Sequence, residues 1–216
     1  MEQWRSVSVG TDRLATWLTG FAQRHGPPQA TLASGALHLL APDGAEAILS
    51  SRWPLALPND ANDPVSTFVT AATLPRRVGI LLVRRERHAV GIAEGTTVTS
   101  ARVGRHYVQG RTKAGGWSQQ RYARRRENQA NQAYEKAAAD VVDLLEPEAA
   151  SLEGIITGGD ARGLEAVLSD SRLKRVDALT RRVPLPRLEV NDPTRAALVE
   201  FAARYAAITV RLNPLA

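Results

Sequence analysis

Between Arg121 and Leu145 the chain carries a one-sided apolar stripe. Tyr122, Ala130, Ala133, Tyr134, Ala137, Val141, Leu144 and Leu145 recur at helical steps, and Pro147 closes the segment. A long helix with one apolar side must lay that side on another layer of structure. The residues ahead of it supply a candidate. Val78–Val83 is a continuous apolar run of strand length, and Ala89–Ala93 and Thr96–Val108 follow after short breaks at Arg85–His88 and Glu94-Gly95. Three strands in a meander are predicted. Behind the helix, Leu152–Thr157 reads as a strand running into Gly158-Gly159-Asp160, and Ala161–Leu168 as a helix with Asp160 as N-cap. Arg181–Val190 is a proline-marked strand or loop, Pro193–Ala206 a helix capped by Asp192, and Ile208–Leu212 a final strand. This order predicts an α/β (α+β) fold, with a mixed β-sheet flanked by helices.

The N-terminal part is patterned differently. Val9–His25 reads as a helix, with Leu14, Trp17, Leu18 and Phe21 at three- and four-residue steps and Gly26-Pro27-Pro28 stopping it. Ala30–Leu40 and Glu46–Ser50 read as short strands around a Pro42-Asp43-Gly44 turn, and Pro54–Pro64 as a linker or long loop. The expected organisation is a small α+β section over residues 1–75 and a second domain over 76–216.

Charge placement narrows the partner. The chain has 216 residues and a formal net charge of +6. Between Arg102 and Lys136 lie nine Lys/Arg against two Glu, a local +7, so the remainder sums to −1. A basic cluster on an otherwise balanced chain is the footprint of a phosphate-backbone partner. With no cysteine, disulfides, thiolate zinc sites and cysteine nucleophiles are excluded together. The four histidines, at 25, 38, 88 and 106, lack metal-ligand spacing, and no metal or cofactor is expected. No apolar run reaches the ~20 residues a membrane span needs, and Met1–Gly10 lacks the pattern of a secretory signal. A cytoplasmic protein without a membrane partner is the expectation.

The most informative stretch is Arg111-Thr-Lys-Ala-Gly-Gly-Trp-Ser-Gln-Gln-Arg-Tyr-Ala-Arg-Arg-Arg126. Gln109–Gln120 has no periodicity and three glycines, so it reads as a loop. Gly115 and Gly116 permit close backbone approach to a ligand. Arg121, Arg124 and Arg125 stand three to four apart, the spacing that lines cations along one side of a helix. Arg84-Arg85-Glu86-Arg87 reads more simply as a charged hairpin turn than as a contact.

This segment resembles the catalytic loop of archaeal and eukaryotic class-one translation release factors. In that family Gly-Gly-Gln-Ser, two further residues and Arg-Phe-Ala-Arg-x-Arg open a long helix. Here Gly115-Gly116-Trp117-Ser118, two residues and Arg121-Tyr122-Ala123-Arg124-Arg125-Arg126 stand in the same register. The flanking strand and helix order, over roughly Arg77 to Ala216, is similar to that family's central domain. Trp117 occupies the place of the family's glutamine, and Gln119 and Gln120 follow it. A glutamine slightly later in the loop is similar to the release-factor-like peptidyl-tRNA hydrolases of ribosome quality control (VLRF-type, actinobacterial branch). The eukaryotic members' zinc-finger and ankyrin parts and the Asn-Ile-Lys-Ser codon-reading motif are missing from this sequence.

The resemblance implies a peptidyl-tRNA ester hydrolase that rescues stalled or split ribosomes without reading a codon. Its implied partners are the large ribosomal subunit, peptidyl-tRNA and rRNA. Gln119 and Gln120 are the implied reactive residues, with Gly115 and Gly116 giving the loop its reach. Arg111, Lys113, Trp117, Arg121, Arg124, Arg125 and Arg126 are the implied RNA contacts. Two alternatives stay open on the residues. Gln119 and Gln120 also read as ordinary first-turn helix residues, and the chain as a non-catalytic ribosome- or RNA-binding protein with a degenerate release-factor fold. A metal-dependent nuclease fits poorly, because Val78–Val83, Ala89–Ala93 and Thr96–Val108 hold no carboxylates.

Overall fold

The computed structural model describes residues 4–105 and 117–216, without the side chains of 117–127. The chain divides into two compact units, residues 1–75 with 203–216, and residues 76–202.

The first unit is built on a five-stranded antiparallel sheet. Its strands are β1 (Arg5–Val9), β2 (Gln29–Ala33), β3 (Ala36–Leu40), β4 (Glu46–Ser51) and β9 (Ile208–Leu212), in the order β1-β9-β4-β3-β2. One face is apolar: Leu37, Leu39, Ala47, Leu49, Ile208 and Val210 are buried there with Leu14 and Phe21 of α1 (Leu14–His25) and Phe68 of α2 (Pro64–Thr73). Three sequence expectations change here. The single strand expected over Ala30–Leu40 is the hairpin β2–β3, because Ser34 and Gly35 both take positive φ (52° and 73°), as a primed two-residue turn requires. The expected helix over Val9–His25 starts only at Leu14, after β1 and a short 3-10 turn at Thr11–Arg13. Behind the proline-rich loop, α2 was not foreseen; Asp63 caps it by accepting from the Ser66 N–H at 3.0 Å, with Pro64 in the first turn.

The last strand is the main topological surprise. The second domain was expected to run to Ala216, yet β9 pairs antiparallel with both β1 and β4 of the first unit. Its alternation is the reason. Ile208, Val210 and Leu212 are buried every second residue, and Val210 stands level with the buried Leu49.

The second unit holds the predicted meander, β5 (Arg77–Val83), β6 (Arg87–Glu94) and β7 (Thr97–Arg105), and a later strand β8 (Gly154–Gly159). The sheet order is β7-β6-β5-β8, antiparallel except that β8 runs parallel to β5, so it is mixed, as expected. The helices are α3 (Trp117–Leu144), α4 (Ala161–Leu168), α5 (Lys174–Arg182) and α6 (Arg195–Ala206). From Val78 to Val83 every residue of β5 is buried. Leu81 and Val83 join the core with Tyr134, Ala137, Val141 and Leu145 of α3, Leu164 and Val167 of α4, and Val176 and Leu179 of α5. On the opposite face, Leu198 and Phe201 of α6 approach Gly91 and Gly158 so closely that an added Cβ would collide with them. Burying each large aliphatic side chain contributes about 1.5–3 kcal/mol, so β5 is the unit's main structural axis. The helix α5 went unassigned in the sequence, where only the following proline-marked segment stood out. Of that segment, Leu188 makes a single bridge to Gly158.

Two capping expectations come out differently. Asp160 does stand at the N-cap of α4, but its side chain makes no cap hydrogen bond and instead accepts from the Tyr134 hydroxyl at 3.3 Å. Ahead of α6 the cap is Thr194, whose Oγ1 accepts from the Ala197 N–H at 3.1 Å, while Asp192 pairs with Arg87.

Candidate functional site

The site-bearing element is α3, and its direction follows from two contacts. Leu145 lies against Gly79 near the start of β5, whereas Tyr134 and Val83 both crowd Gly163, just past the strand's far end. The helix therefore runs antiparallel to β5. Seventeen residues separate Trp117 from Tyr134, so the helical backbone reaches about 25 Å from Tyr134 at ~1.5 Å per residue. That direction is the end of the sheet where β5 turns into β6 and where β7 finishes at Arg105.

The C-terminal half of α3 is fixed to the sheet by a polar chain. His88 of β6 is 2% exposed, and its Nε2 lies 2.7 Å from Asp140 Oδ2. Arg102 of β7 donates to Asp140 Oδ1 at 3.2 Å and to Asp143 Oδ2 at 2.7 Å. These bonds, Asp143 first, raise the Arg102 pKa further above its ordinary value. Gly104 makes room for the arrangement, since a Cβ there would overlap the His88 ring. Farther along, Tyr134 is tied to Asp160. Burial, then the Asp160 charge and hydrogen bond, raises the Tyr134 pKa, while Arg85 and Arg162 pull it the other way.

Against this frame the expected site residues sort into two groups. Gly115, Gly116, Arg111 and Lys113 lie outside the described residues. Trp117, Gln119, Gln120, Arg121, Arg124, Arg125 and Arg126 lie on helical backbone, and their side chains are outside the described part. The loop expected to run to Gln120 ends before Trp117, so both glutamines belong to the first turn of α3. No Gly or Pro occurs between Gly116 and Pro147 to stop the helix, and Gln and Arg are good helix formers. The sequence count of basic residues also included Arg102, whose charge is met by Asp140 and Asp143, just beyond the counted window. His88 and Asp140 escaped the sequence reading because neither has a spacing signal; the sheet register alone brings them together.

Residues 76–211 match the family model described as Actinobacteria/chloroflexi VLRF1 release factor, acVLRF1, which takes in more than half of the chain. The chain belongs to the acVLRF1 family. The acVLRF1 match begins at the boundary between the two units and runs on into β9. A peptide chain release factor subunit 1 from Aeropyrum pernix is 30% identical over 105 residues, covering 46% of this chain and 28% of that relative. Among solved structures, the archaeal translation termination factor aRF1 is 16% identical with a TM-score of 0.41, covering 94% of this chain and 66% of that one. The Vms1 mitochondrial localization core is 9% identical with a TM-score of 0.45, covering 92% and 80%. The chain thus spans under a third of the curated relative and just under two thirds of the first of these structures.

Among the described residues, no group of three or more His, Asp and Glu is placed to hold a metal ion, and no helix is long and apolar enough to cross a membrane.

Proposed function

We propose that this protein hydrolyses the ester bond of peptidyl-tRNA on stalled or split ribosomes in the cytoplasm, acting on the large subunit without codon recognition. Membership of a release-factor family supports the reading. The structural observation that carries it is the anchoring of α3: one half is locked on the sheet through Asp140, and the other opens with Trp117, Ser118, Gln119 and Gln120 far from that anchor. A long rigid arm with its reactive residues at one end suits a cavity that the protein body cannot enter.

Ester hydrolysis needs a water in line with the carbonyl and donors facing the developing oxyanion. The backbone N–H groups of the first three helical residues lack intrahelical acceptors, and Gln119 is the third residue of α3. A glutamine there can offer its N–H to the oxyanion while its side-chain amide restricts the water. Gln119 is assigned the main role and Gln120 the second, with Gly115 and Gly116 allowing close approach. Neither role needs a titrating side chain. Arg111, Lys113, Trp117, Arg121, Arg124, Arg125 and Arg126 would hold rRNA or tRNA.

Trp117, at the place of the release-factor glutamine, favours one rival: a ribosome-binding protein that has lost the reaction. Release of labelled peptide from peptidyl-tRNA on isolated large subunits separates the two. Under the hydrolase reading Gln119→Ala keeps the backbone donor but removes the amide that restricts the water, and lowers release about 100-fold, the scale of misplacing a reacting group, while subunit binding persists. No release by wild-type protein that binds the subunits would leave the rival.

A further inference from the structure

At the far end of the second unit's sheet, the β5–β6 connection is a tight turn. Arg84 and Arg87 exchange backbone hydrogen bonds of 2.8 and 3.4 Å, presenting Arg85 and Glu86 at its tip. Arg105, the last residue of β7, stands level with Arg87 in the sheet register. Together with Asn191, Asp192 and Pro193 they line an open groove of about 280 Å³. That is near the lower end of the ~300–1,000 Å³ typical of ligand pockets. Four arginines face two carboxylates in this lining, and one carboxylate is already committed: Asp192 lies 2.8 Å from Arg87. Arg84, Arg85 and Arg105 are exposed, and among the described residues no carboxylate comes within ion-pair distance of them. Elsewhere in the same unit the arginines of the sheet are matched: Arg76 with Glu153, Arg77 with Glu148 and Glu94, and Arg102 with Asp140 and Asp143.

Three guanidiniums without an ion-pair partner among the described residues, converging on one groove, repel one another and attract a polyanion. The planar guanidinium fork suits phosphate oxygens in particular. We propose that this groove is an RNA phosphate-backbone site, with Arg84, Arg85 and Arg105 holding successive phosphates and Asn191 offering an amide to a ribose or phosphate. It lies at the end of the sheet toward which α3 extends, so the arm and the groove engage RNA from the same side of this unit. The assignment rests on the RNA-facing reading of the protein and not on which glutamine acts.

The test measures equilibrium binding of the full chain to isolated large ribosomal subunits, and to protein-free rRNA extracted from them, over a series of KCl concentrations. It compares wild type with the triple variants Arg84→Gln/Arg85→Gln/Arg105→Gln and Arg84→Lys/Arg85→Lys/Arg105→Lys. Each phosphate contact contributes about 0.7–0.9 to the slope of log K against log[salt], so the Gln variant should flatten the slope by about 2–3 and weaken binding about tenfold or more at low salt. The Lys variant should keep the slope. An unchanged far-UV spectrum and Tm show that the exposed substitutions leave the fold intact. An unchanged slope and affinity in the Gln variant would overturn the assignment. So would weaker binding to subunits without any change on naked rRNA, which would point to a ribosomal protein. Peptide release measured in parallel keeps the two readings apart: arginine-dependent binding without release sinks the hydrolase and leaves the groove, while release with an unchanged slope does the reverse.

Discussion

The two ends of the second unit's sheet carry the same residue type in opposite circumstances. At the start of β5, Arg76 and Arg77 sit among Glu94, Glu148 and Glu153, with Arg77 donating also to the Ser151 hydroxyl. The Arg77 hydrogen bond holds the Glu148 carboxyl below its ordinary pKa. At the other end, Arg84, Arg85 and Arg105 have no such partners among the described residues. The first arrangement closes a surface and the second leaves charge available. An arginine count does not distinguish them, because pairing is decided by what the fold brings opposite each guanidinium. The same applies to Arg102, which belongs to the basic stretch by sequence and to a structural anchor by position.

The largest effect should come from the backbone of the open end. Gly159 closes β8 with φ of 99°, and an added Cβ would overlap the carbonyl oxygen of Val83. Gly159→Ala is expected to destabilise the protein by about 3–4 kcal/mol, a fall of roughly 6–16 °C in Tm at ~2–4 °C per kcal/mol. A melt within a degree or two of wild type would show that this end adapts, and that its shape is not fixed by the strand. The contrast with the three arginines beside it is sharp, since their replacement should leave the melt unchanged.

A middle-sized effect is expected at the helix anchor. Asp140→Ala removes the acceptor shared by the buried His88 and by Arg102. A charged hydrogen bond of this kind contributes about 1.5–3 kcal/mol, so a loss near 2 kcal/mol in denaturant unfolding is expected. Peptide release should fall more than stability does, because the arm loses its fixed direction. Equal release per folded molecule would separate the anchor from function.

The smallest effect belongs to the closed end. Glu148→Gln and Glu153→Gln break exposed ion pairs, worth about 0–1 kcal/mol each. Stability should shift by less than 1 kcal/mol, and the salt slope for rRNA should stay that of wild type. A steeper slope in these variants would mean that freeing Arg76 and Arg77 creates a second binding end, and that pairing alone sets which end is used.

Much of the second unit was legible in advance. Strand alternation and apolar runs marked β5, β6 and β7, and the stripe at Tyr134, Ala137, Val141 and Leu145 marked α3. These patterns are local, since each follows from the period of one element against one buried face. The helices α2 and α5 were lost beside proline-rich segments whose turn signals dominate a short window. Of the site, the glycines, glutamines and arginines were legible as a motif and the helix from Arg121 as an element, while its start at Trp117 was not.

The sequence by itself determined the elements of the second unit except α5, the excess of positive charge near α3 and the release-factor-like segment ahead of its arginines. Only the tertiary structure decided that β9 completes the first sheet, that His88 and Arg102 meet Asp140 across 52 and 38 residues, and that Arg84, Arg85 and Arg105 share a groove in which, among the described residues, none of them forms an ion pair. The physical reason is common to all three. Secondary structure answers to neighbours within a few residues, whereas strand order and ion pairing depend on which distant backbone the buried faces bring into register.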